Sequence, residues 1–229
     1  MTQETWKDVW ERKGLSAAGK QQYTVAELFS ADGFDTATGT TSAAAHARIG
    51  AMVQELLGAA PGQRILEVGC GAGAVLSLLA GSGADLSGVD YSAPHIDIAR
   101  QSLPGADLRV AEASALPFAD ACFDAVFSHG VFLYFSDLAY AEVTLTEMLR
   151  VASPSAPVLV LDIPDEATRE ECIAARRAAG ASLQPAHLYY PRSFFREFAR
   201  QHSRHAAIFQ QEIPDYANSA FRYNVLLER

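Results

Sequence analysis

The chain has 229 residues, a length typical of one α/β domain, and 27 acidic against 18 basic side chains give it a formal charge of -9. This charge provides no general attraction for nucleic-acid phosphates or anionic lipid, so we expect neither as a partner. The three cysteines form no C-x-x-C pair, and we see no secretory leader and no apolar run of about 18 residues. We therefore expect a cytoplasmic protein.

The first 60 residues lack the alternating strand and helix pattern of the rest of the chain. They open with an amphipathic segment, TWKDVWERKG, in which Trp6 and Trp10 share one helix face, followed by a Gly/Thr-rich loop and a helix over about 43–58. Either the two tryptophans pack this first helix onto a sheet, or the segment forms a lid over a cleft. We expect one domain over 1–229, in which residues 1–60 form that lid segment.

From residue 64 onward, short β-branched runs alternate with helix-compatible segments, which is the pattern of βαβ units around a parallel sheet. The predicted strands are 64–68, 86–90, 107–111, 123–128 and 157–162. The predicted helices between them are 72–80, 94–102 and 137–151. The apolar runs 205–212 and 220–228 have no helix-length segment between them, so they predict an antiparallel hairpin. Residues 61–165 would then bind the cofactor, and residues 166–229 would supply substrate-side helices and this hairpin.

The stretch ILEVGCGAGA at 65–74 fits both the dinucleotide pattern G-x-G-x-x-G/A and the pattern G-x-G-x-G. Asp90 ends the next strand, where its carboxylate can accept hydrogen bonds from ribose hydroxyls, so a nucleotide cofactor of either kind fits. Glu67 favours S-adenosylmethionine, because a carboxylate beside Gly69 would repel a pyrophosphate but attract a sulfonium and an ammonium group. The long segment before the loop and the terminal hairpin also depart from the plain dinucleotide fold.

Ordered segments after the loop carry a stronger signal: ILEVGCGAG, GVDYS, EASALPFADACFDAVFS and EMLRV. Over residues 64 to about 163 they resemble the class I S-adenosylmethionine-dependent methyltransferases with a core of the methyltransferase domain 11/25 type. The resemblance implies an α/β, Rossmann-like fold with a seven-stranded, mostly parallel sheet, an antiparallel last strand and helices on both faces. It also implies transfer of a methyl group from S-adenosylmethionine to a nucleophile.

The resemblance carries the family's cofactor contacts onto particular positions. They are Glu67, Gly69, Gly71 and Gly73 around the methionine part, Asp90 at the ribose, Tyr91, Glu112 and Ala113 at the adenine, and Ser128 beside the sulfonium. The chain departs from the family pattern at Glu112, where an aspartate is common, and at residues 153–156, which read SPSA instead of a P-G-G turn. The sequence implies no metal, because no cluster of His, Asp and Glu has ligand spacing.

Two side chains at predicted strand ends are candidates for the chemistry. His129 follows the fourth strand and is the first candidate for a general base or an acceptor-orienting residue, because an imidazole titrates near neutral pH. The alternative is a cleft-wall histidine that only hydrogen-bonds the backbone. Asp162 ends the fifth strand and faces the cleft on topology alone. An alcohol acceptor needs a base, whereas a carboxylate acceptor does not.

Aromatic and basic residues in the second half of the chain are candidates for acceptor binding, with plain packing as the alternative. The candidates are Phe132, Tyr134, His187, Tyr189, Tyr190 and Arg222. For an anionic acceptor, Arg222 competes with a stripe of arginines four residues apart on the helix that begins after Pro191. The stripe comprises Arg192, Arg196, Arg200 and Arg204, and its alternative role is a solvated helix face.

The flanking phrases WKDVWERKG, LDIPD, HLYY and FRYN resemble bacterial methyltransferases of surface-polysaccharide and natural-product gene clusters. This resemblance implies a small metabolite or sugar derivative as acceptor, and we expect methylation at oxygen. Nitrogen methylation of a small amine stays open as an alternative. A nicotinamide-dependent oxidoreductase and a non-enzymatic cofactor-binding protein are lower alternatives, because fold alone does not fix function.

Overall fold

The computed structural model describes residues 4–34, 41–181 and 183–229. Helices α1 (Trp6–Ala17), α2 (Val25–Ala31) and α3 (Ala43–Leu57) occupy the first 60 residues. Each begins after a Ser or Thr whose hydroxyl accepts a hydrogen bond from a backbone amide of the first turn. Helix α2 was not predicted, and residues 35–40 of the predicted Gly/Thr-rich loop lie outside the described residues.

The described strands form one seven-stranded sheet. They are β1 (Arg64–Val68), β2 (Asp85–Asp90), β3 (Asp107–Val110), β4 (Ala125–His129), β5 (Val158–Pro164), β6 (His205–Gln210) and β7 (Arg222–Glu228). Their order across the sheet is β3-β2-β1-β4-β5-β7-β6. Strands β1 to β5 are parallel, and β7 runs antiparallel to both β5 and β6. The predicted fold class and the terminal hairpin are therefore confirmed.

The remaining helices connect these strands. They are α4 (Ala74–Leu78), α5 (Ala93–Ser102), α6 (Leu138–Val151), α7 (Arg169–Ala178) and α8 (Arg192–Gln201). Helix α4 is shorter than the predicted 72–80, because Gly71 and Gly73 hold left-handed backbone angles and the chain becomes a 3-10 turn after Leu79. Helix α7 was missed by the sequence analysis. Within the described ranges, no helix has both the length and the apolar character needed to cross a bilayer.

Side-chain alternation along the strands divides the core into two layers. Ile65 and Phe127 face one hydrophobic cluster, which contains buried residues of α2 to α5, whereas Leu66 and Val126 face a second cluster with buried residues of α6 and α8. The strand order reverses between β1 and β4, and such a reversal opens a crevice at the carboxyl ends of the strands. The functional site is expected at that edge.

Candidate cofactor and acceptor site

A cavity of about 1070 Å³ lies at the carboxyl ends of β1, β2, β4 and β5. Ligand pockets commonly have volumes of about 300–1,000 Å³, so this cavity has room for a nucleotide cofactor and a second small molecule. One end is formed by the glycine loop after β1 and by the chain after β2 and β3. The other end is formed by the ends of β4 and β5, the start of β7 and residues 184–187, and α1 lies along the rim.

The glycine loop supplies backbone access to the cavity. Gly69 and Gly71 have positive φ angles of 76° and 52°, and both line the cavity. A Cβ at Gly69 would collide with the Val131 side chain, and one at Gly71 would collide with the Asp32 carboxylate. Larger residues are excluded at both positions for this reason as well as by backbone conformation.

A group of buried carboxyls surrounds this loop. The side chain of Glu67 is 2% exposed, and its Oε2 has no hydrogen-bond partner among the described residues. Burial, with the nearby charges of Asp32 and Asp90, raises the pKa of Glu67 well above its usual range. Burial also raises the pKa of Asp32 to about 6 and raises the pKa of Asp90. Close acidic groups in a buried site favour a cationic ligand, which would relieve their repulsion.

Asp32 was not predicted as a site residue. It follows α2, and its carboxylate accepts hydrogen bonds from the backbone amides of Ala72 at 2.6 Å and Ala74 at 3.1 Å. These amides belong to the glycine loop and the first residue of α4, where a negative charge is favourable. The sequence places Asp32 some 40 residues before these partners, and no local pattern signals the contact.

Asp90 stands where a ribose would be recognised. Its two carboxylate oxygens accept hydrogen bonds from the amides of Gly71 at 3.0 Å and Ser92 at 2.8 Å. Each oxygen has a second lone pair for a hydroxyl donor. Asp90 is therefore oriented by the backbone and still able to bind the two hydroxyls of a ribose.

Tyr91, Glu112 and Ala113 line the cavity beside Asp90. Lys7 of α1 lies 5.3 Å from the centroid of the Tyr91 ring and pairs with Glu112, which also accepts a hydrogen bond of 3.2 Å from the Tyr140 hydroxyl. A flat pocket between an aromatic ring and backbone atoms suits a purine base. The residues around Glu67, Asp90 and Tyr91 thus fit S-adenosylmethionine. Acidic groups face its cationic methionine end, Asp90 can accept hydrogen bonds from its ribose hydroxyls, and Tyr91 borders a pocket for its adenine.

His129 is the last residue of β4, whereas the sequence predicted a strand that ends at residue 128. Its side chain lines the cavity. Its side chain is 6% exposed, and neither ring nitrogen has a hydrogen-bond partner in the described part of the chain. Burial lowers the pKa of His129, partly opposed by the Asp162 charge, so the imidazole is neutral near pH 7. A neutral imidazole can accept a proton or orient a hydroxyl.

Asp162 also lines the cavity, with a left-handed φ of 60°. Its carboxylate accepts hydrogen bonds from Gln211 Nε2 at 2.8 Å and from the Tyr216 hydroxyl at 3.0 Å. It also lies 3.5 Å from Nε of Arg222. Because both carboxylate oxygens have protein partners, this arrangement is typical of a residue that positions its neighbours rather than of a free base.

Arg222, the first residue of β7, is 1% exposed and lines the cavity. No described residue accepts a hydrogen bond from its Nε or its Nη1. Burial lowers the pKa of Arg222 and the Asp162 carboxylate raises it, with a net increase, so the guanidinium stays charged. An arginine with unpaired donors in a cavity is a candidate for binding an anion.

Aromatic rings close the cavity above these groups. Trp6 of α1 lies 4.7 Å from the Tyr134 ring and 5.0 Å from the His187 ring, and Trp10 lies 5.0 Å from the Tyr134 ring. Burial and the charges of Arg176 and Arg222 lower the pKa of His187 to about 3. Both tryptophans line the cavity, and the Trp10 ring also lies 5.9 Å from the His95 ring of α5.

Five predicted site residues do not line the cavity, and their assignments stay predictions. They are Gly73, Ser128, Phe132, Tyr189 and Tyr190. Ser128 alternates with His129 and so faces the opposite side of the sheet. Phe132 and Tyr190 belong to the second hydrophobic cluster, where the Tyr190 hydroxyl donates to the Phe132 carbonyl at 2.8 Å.

Gly73 and Tyr189 lie outside the cavity lining and pack against neighbouring helices. Gly73 lies against Leu103 and Ala99 of α5, where it allows the close packing of two helices. Tyr189 is buried, and the Arg169 guanidinium of α7 lies 5.4 Å from its ring centroid. Both positions contribute to packing.

The arginine stripe on α8 also lies away from the cavity. Arg192 pairs with Asp165 at 2.8 Å, Arg200 pairs with Glu197 at 2.6 Å, and Arg204 donates to a backbone carbonyl. Arg196 is exposed. Of the two competing anion partners, the described structure therefore retains only Arg222 in the cavity. Across the same residues, no His, Cys, Asp or Glu side chains form a group able to hold a metal ion.

A mostly parallel seven-stranded sheet with an antiparallel β7, together with the glycine loop after β1, is the arrangement expected of the class I methyltransferase fold. Residues 66–160 match the family model described as Methyltransferase domain. Residues 66–160 therefore match a methyltransferase domain, and the fold around them is that of the class I S-adenosylmethionine-dependent methyltransferases.

Relatives match this core. The demethylmenaquinone methyltransferase of Renibacterium salmoninarum is 35% identical over 112 residues, which are 48% of this chain and 46% of that protein. The chain thus spans about half the length of the curated relatives it matches.

Solved structures extend the likeness of fold over most of the chain. One belongs to the complex between the Haloferax volcanii Trm112 methyltransferase activator and a putative methyltransferase, with a TM-score of 0.69, 17% identity and 99% of both chains covered. Another is magnesium protoporphyrin IX methyltransferase from Synechocystis PCC 6803 with bound SAH, with a TM-score of 0.62, 18% identity, 89% of this chain and 96% of that chain covered.

Proposed function

We propose that the whole protein transfers a methyl group from S-adenosylmethionine to an oxygen, hydroxyl or carboxylate, of a small secondary metabolite or sugar derivative in the cytoplasm. The observation that carries this proposal is the shared cavity. Its acidic end fits the cofactor, and its other end presents the neutral imidazole of His129 with no protein partner among the described residues.

Each group in the cavity has a part in this proposal. When bound, the cofactor supplies an electrophilic methyl group on a sulfonium. Glu67 and Asp90 bind its cationic and ribose parts, and the tryptophans of α1 exclude water from the reacting groups. His129 accepts the proton of an acceptor hydroxyl as the hydroxyl is methylated. Asp162 positions Arg222 through their ion pair.

A small acceptor is supported by how the cavity is covered. Helix α1 crosses its rim, with Trp6 stacked on His187 at one end and Lys7 paired with Glu112 at the other. We propose that residues 1–60 act as a lid within a single domain. The net charge of -9 disfavours nucleic acid as a substrate, and the name of the 35% identical relative refers to a small molecule, demethylmenaquinone.

The alternatives have less support. A nicotinamide cofactor would bring a pyrophosphate toward Glu67 and Asp32, and two buried carboxyls at the glycine loop disfavour that charge. A non-enzymatic binding protein would need no room beyond its cofactor. Nitrogen methylation is chemically compatible with the cavity, but no described contact favours it over oxygen.

The test is methyl transfer from S-adenosylmethionine labelled with ¹³C at its methyl group. The purified protein is incubated with a metabolite extract, and the small-molecule, protein and nucleic-acid fractions are examined by NMR. We expect label in the small-molecule fraction at an O-methyl chemical shift. Label at an N-methyl shift would contradict the choice of oxygen, and label in RNA or protein would contradict the acceptor class.

A further inference from the structure

The three residues that follow α2 contact both ends of the cavity, and residues 32–34 all line it. Asp32 contacts the glycine loop, Gly33 lies against α1, and Phe34 lies against the end of β4. Consecutive Cα atoms are about 3.8 Å apart, so the first and last residues of this segment lie within about 8 Å of each other. A displacement at the glycine loop is therefore passed on to the end of β4.

The 32–34 segment is fixed at its first and last residues. The two carboxylate oxygens of Asp32 accept hydrogen bonds from the amides of Ala72 at 2.6 Å and Ala74 at 3.1 Å. The Phe34 amide donates to the Phe29 carbonyl at 3.0 Å. The segment is thus attached to the glycine loop on one side and to α2 on the other.

Gly33 is the position at which the 32–34 segment passes beneath α1. Its φ angle of 87° is left-handed, and a Cβ at this residue would collide with the Trp10 ring. A larger residue would have to displace either the tryptophan or the segment. The path of the segment is therefore set by contacts on both sides of Gly33.

The orientation of the His129 imidazole depends on packing. A hydrogen bond to one ring nitrogen commonly fixes an imidazole, but neither nitrogen of His129 has a partner in the described chain. The Phe34 ring lies 5.3 Å from the imidazole at an interplanar angle of 32°, within the usual range of aromatic pairs. Phe34 is itself held by the Phe29 ring at 4.8 Å and the Tyr216 ring at 6.1 Å.

We propose that the 32–34 segment positions the His129 imidazole for proton transfer, with Phe34 as the positioning residue and Asp32 as its anchor on the glycine loop. This inference rests on the proposed function, in which His129 accepts the acceptor's proton, and it assigns the residues that orient that group. A reacting group without hydrogen bonds keeps its orientation only if its neighbours hold it. Because Asp32 binds the loop that is proposed to hold the cofactor, one short segment places the proton acceptor relative to the methyl donor.

The first test is NMR of protein labelled with ¹³C and ¹⁵N in its histidines, with and without saturating S-adenosylhomocysteine. His129→Asn identifies the His129 signals among those of the six histidines. The Phe34 ring should give the carbon-bound protons of His129 a ring-current shift. We expect this shift to be lost in Phe34→Leu and restored in Phe34→Tyr.

The anchor is tested by variants that keep Phe34. Asp32→Ala removes two hydrogen bonds to the glycine loop, and Gly33→Ala places a Cβ against α1. We expect each variant to lose part of the ring-current shift of His129, because the segment moves while its phenylalanine remains. An unchanged His129 shift in Asp32→Ala would overturn the inference.

Phe118→Leu is the matched control. Phe118 is also a partly buried phenylalanine, its ring lies 4.9 Å from that of Phe123, and it does not line the cavity. It should leave the His129 signals in place, and a change as large as that in Phe34→Leu would show general loosening and overturn the inference. If Phe34→Leu does not fold, as judged by circular dichroism, Phe34→Met takes its place.

The second test is the rate at which the ¹³C-methyl label of S-adenosylmethionine enters the small-molecule fraction of a metabolite extract at saturating cofactor. In Phe34→Leu we expect this rate to fall by about tenfold while the Kd of S-adenosylhomocysteine stays within about twofold. Phe34→Tyr should recover most of the rate. A full rate in Phe34→Leu would overturn the inference even if the ring-current shift is lost.

The outcomes for the two proposals are separate. Absence of label from the small-molecule fraction in the wild-type protein would overturn the proposed function, while the NMR signals of His129 would still decide whether the 32–34 segment orients its imidazole. A full rate in Phe34→Leu would leave the proposed function in place and remove only the positioning role.

Discussion

Glu67 and Arg222 are buried ionisable groups that have polar atoms without protein partners among the described residues. Leaving a buried polar group unsatisfied costs about 1–3 kcal/mol, and more for a charge, so such groups persist where a ligand uses them. The carboxyls of Asp32 and Asp90 near Glu67 favour a cationic ligand there. The Arg222 guanidinium, 3.5 Å from the Asp162 carboxylate, keeps donors that could bind an anion.

The pKa of Glu67 makes cofactor selectivity depend on pH. Burial raises this pKa, so the group's contribution to stability is full below about pH 4.5, its unfolded value, and is lost as the pH rises through the raised folded value. An ionised Glu67 attracts the sulfonium of S-adenosylmethionine but not the neutral thioether of S-adenosylhomocysteine. We expect the affinity ratio of the two to shift toward S-adenosylmethionine by about tenfold as the pH is raised from 4.5 through that folded value.

Isothermal titration calorimetry of both ligands across this pH range measures the ratio. Glu67→Gln keeps the shape of the side chain and should make the ratio nearly independent of pH. A ratio that is flat in the wild-type protein would mean that the buried acids do not sense the sulfonium.

His129 is expected to act on the acceptor without holding the cofactor. In His129→Asn we expect kcat to fall by about 10²-fold, the usual contribution of a general base, while the Kd of S-adenosylhomocysteine stays within about twofold. Burial lowers the pKa of His129, so the wild-type rate should not fall near pH 6.5, where an exposed histidine protonates. An unchanged kcat in the variant would show that the acceptor oxygen needs no base, as for a carboxylate.

At the scale of elements, α1 and the residues that follow α2 cover the cavity and are attached at separated points. Asp32 binds the amides of Ala72 and Ala74, and the Tyr91 hydroxyl donates to the Trp6 carbonyl at 3.4 Å. The indole nitrogen of Trp6 donates to the Ala186 carbonyl at 2.9 Å. The cover therefore contacts both the cofactor end and the acceptor end, which is what a lid that senses both ligands requires.

Removal of the Asp32 attachment should loosen this cover. Asp32→Ala loses two charge-assisted hydrogen bonds, so we expect the Kd of S-adenosylhomocysteine to rise by about tenfold and hydrogen exchange in residues 6–31 to become faster. Both tryptophans of the chain lie in α1, so their fluorescence reports the same change as a red shift. Asp97→Ala, which removes an exposed carboxylate paired with Arg100, is the matched control and should leave all three readouts unchanged.

The Asp32 carboxyl should also make the free energy of unfolding depend on pH. The pKa of Asp32 is raised to about 6, so its contribution to stability is full below about pH 3.8 and is lost as the pH rises through about 6. In Asp32→Asn this dependence should vanish from the unfolding free energy measured by urea titration. A wild-type curve identical in shape to that of Asp32→Asn between pH 4 and 7 would contradict the assignment.

Local sequence patterns determine the positions of the strands, but not every contact in the cavity. Strand positions followed from β-branched runs, and each of the five parallel strands begins and ends within two residues of its predicted bounds. Ser128 and His129 lie on opposite faces of β4, and only the face of His129 borders the cavity. A predicted strand end that is uncertain by one residue does not determine which of the two faces the cavity. Asp32 and Arg176 enter the site through contacts between distant segments, which no periodicity in the sequence encodes.

At the scale of the whole molecule, binding in a cavity formed by the first, middle and last parts of the chain should stabilise the entire fold. A ligand at 100 times its Kd adds about 2.7 kcal/mol to the free energy of unfolding. For a chain of 229 residues this corresponds to a rise in Tm of about 5–10 °C.

We therefore expect S-adenosylhomocysteine to raise Tm by that amount in a calorimetric scan, and NADH at the same concentration to leave it unchanged. The reason is the charge of the glycine loop: Glu67 and Asp32 accommodate a cationic or neutral amino-acid end but oppose a pyrophosphate. Glu67→Gln provides the internal control, because it reduces this opposition without altering the glycines. A rise in Tm with NADH in the wild-type protein would show that the buried acids do not decide which cofactor the loop accepts.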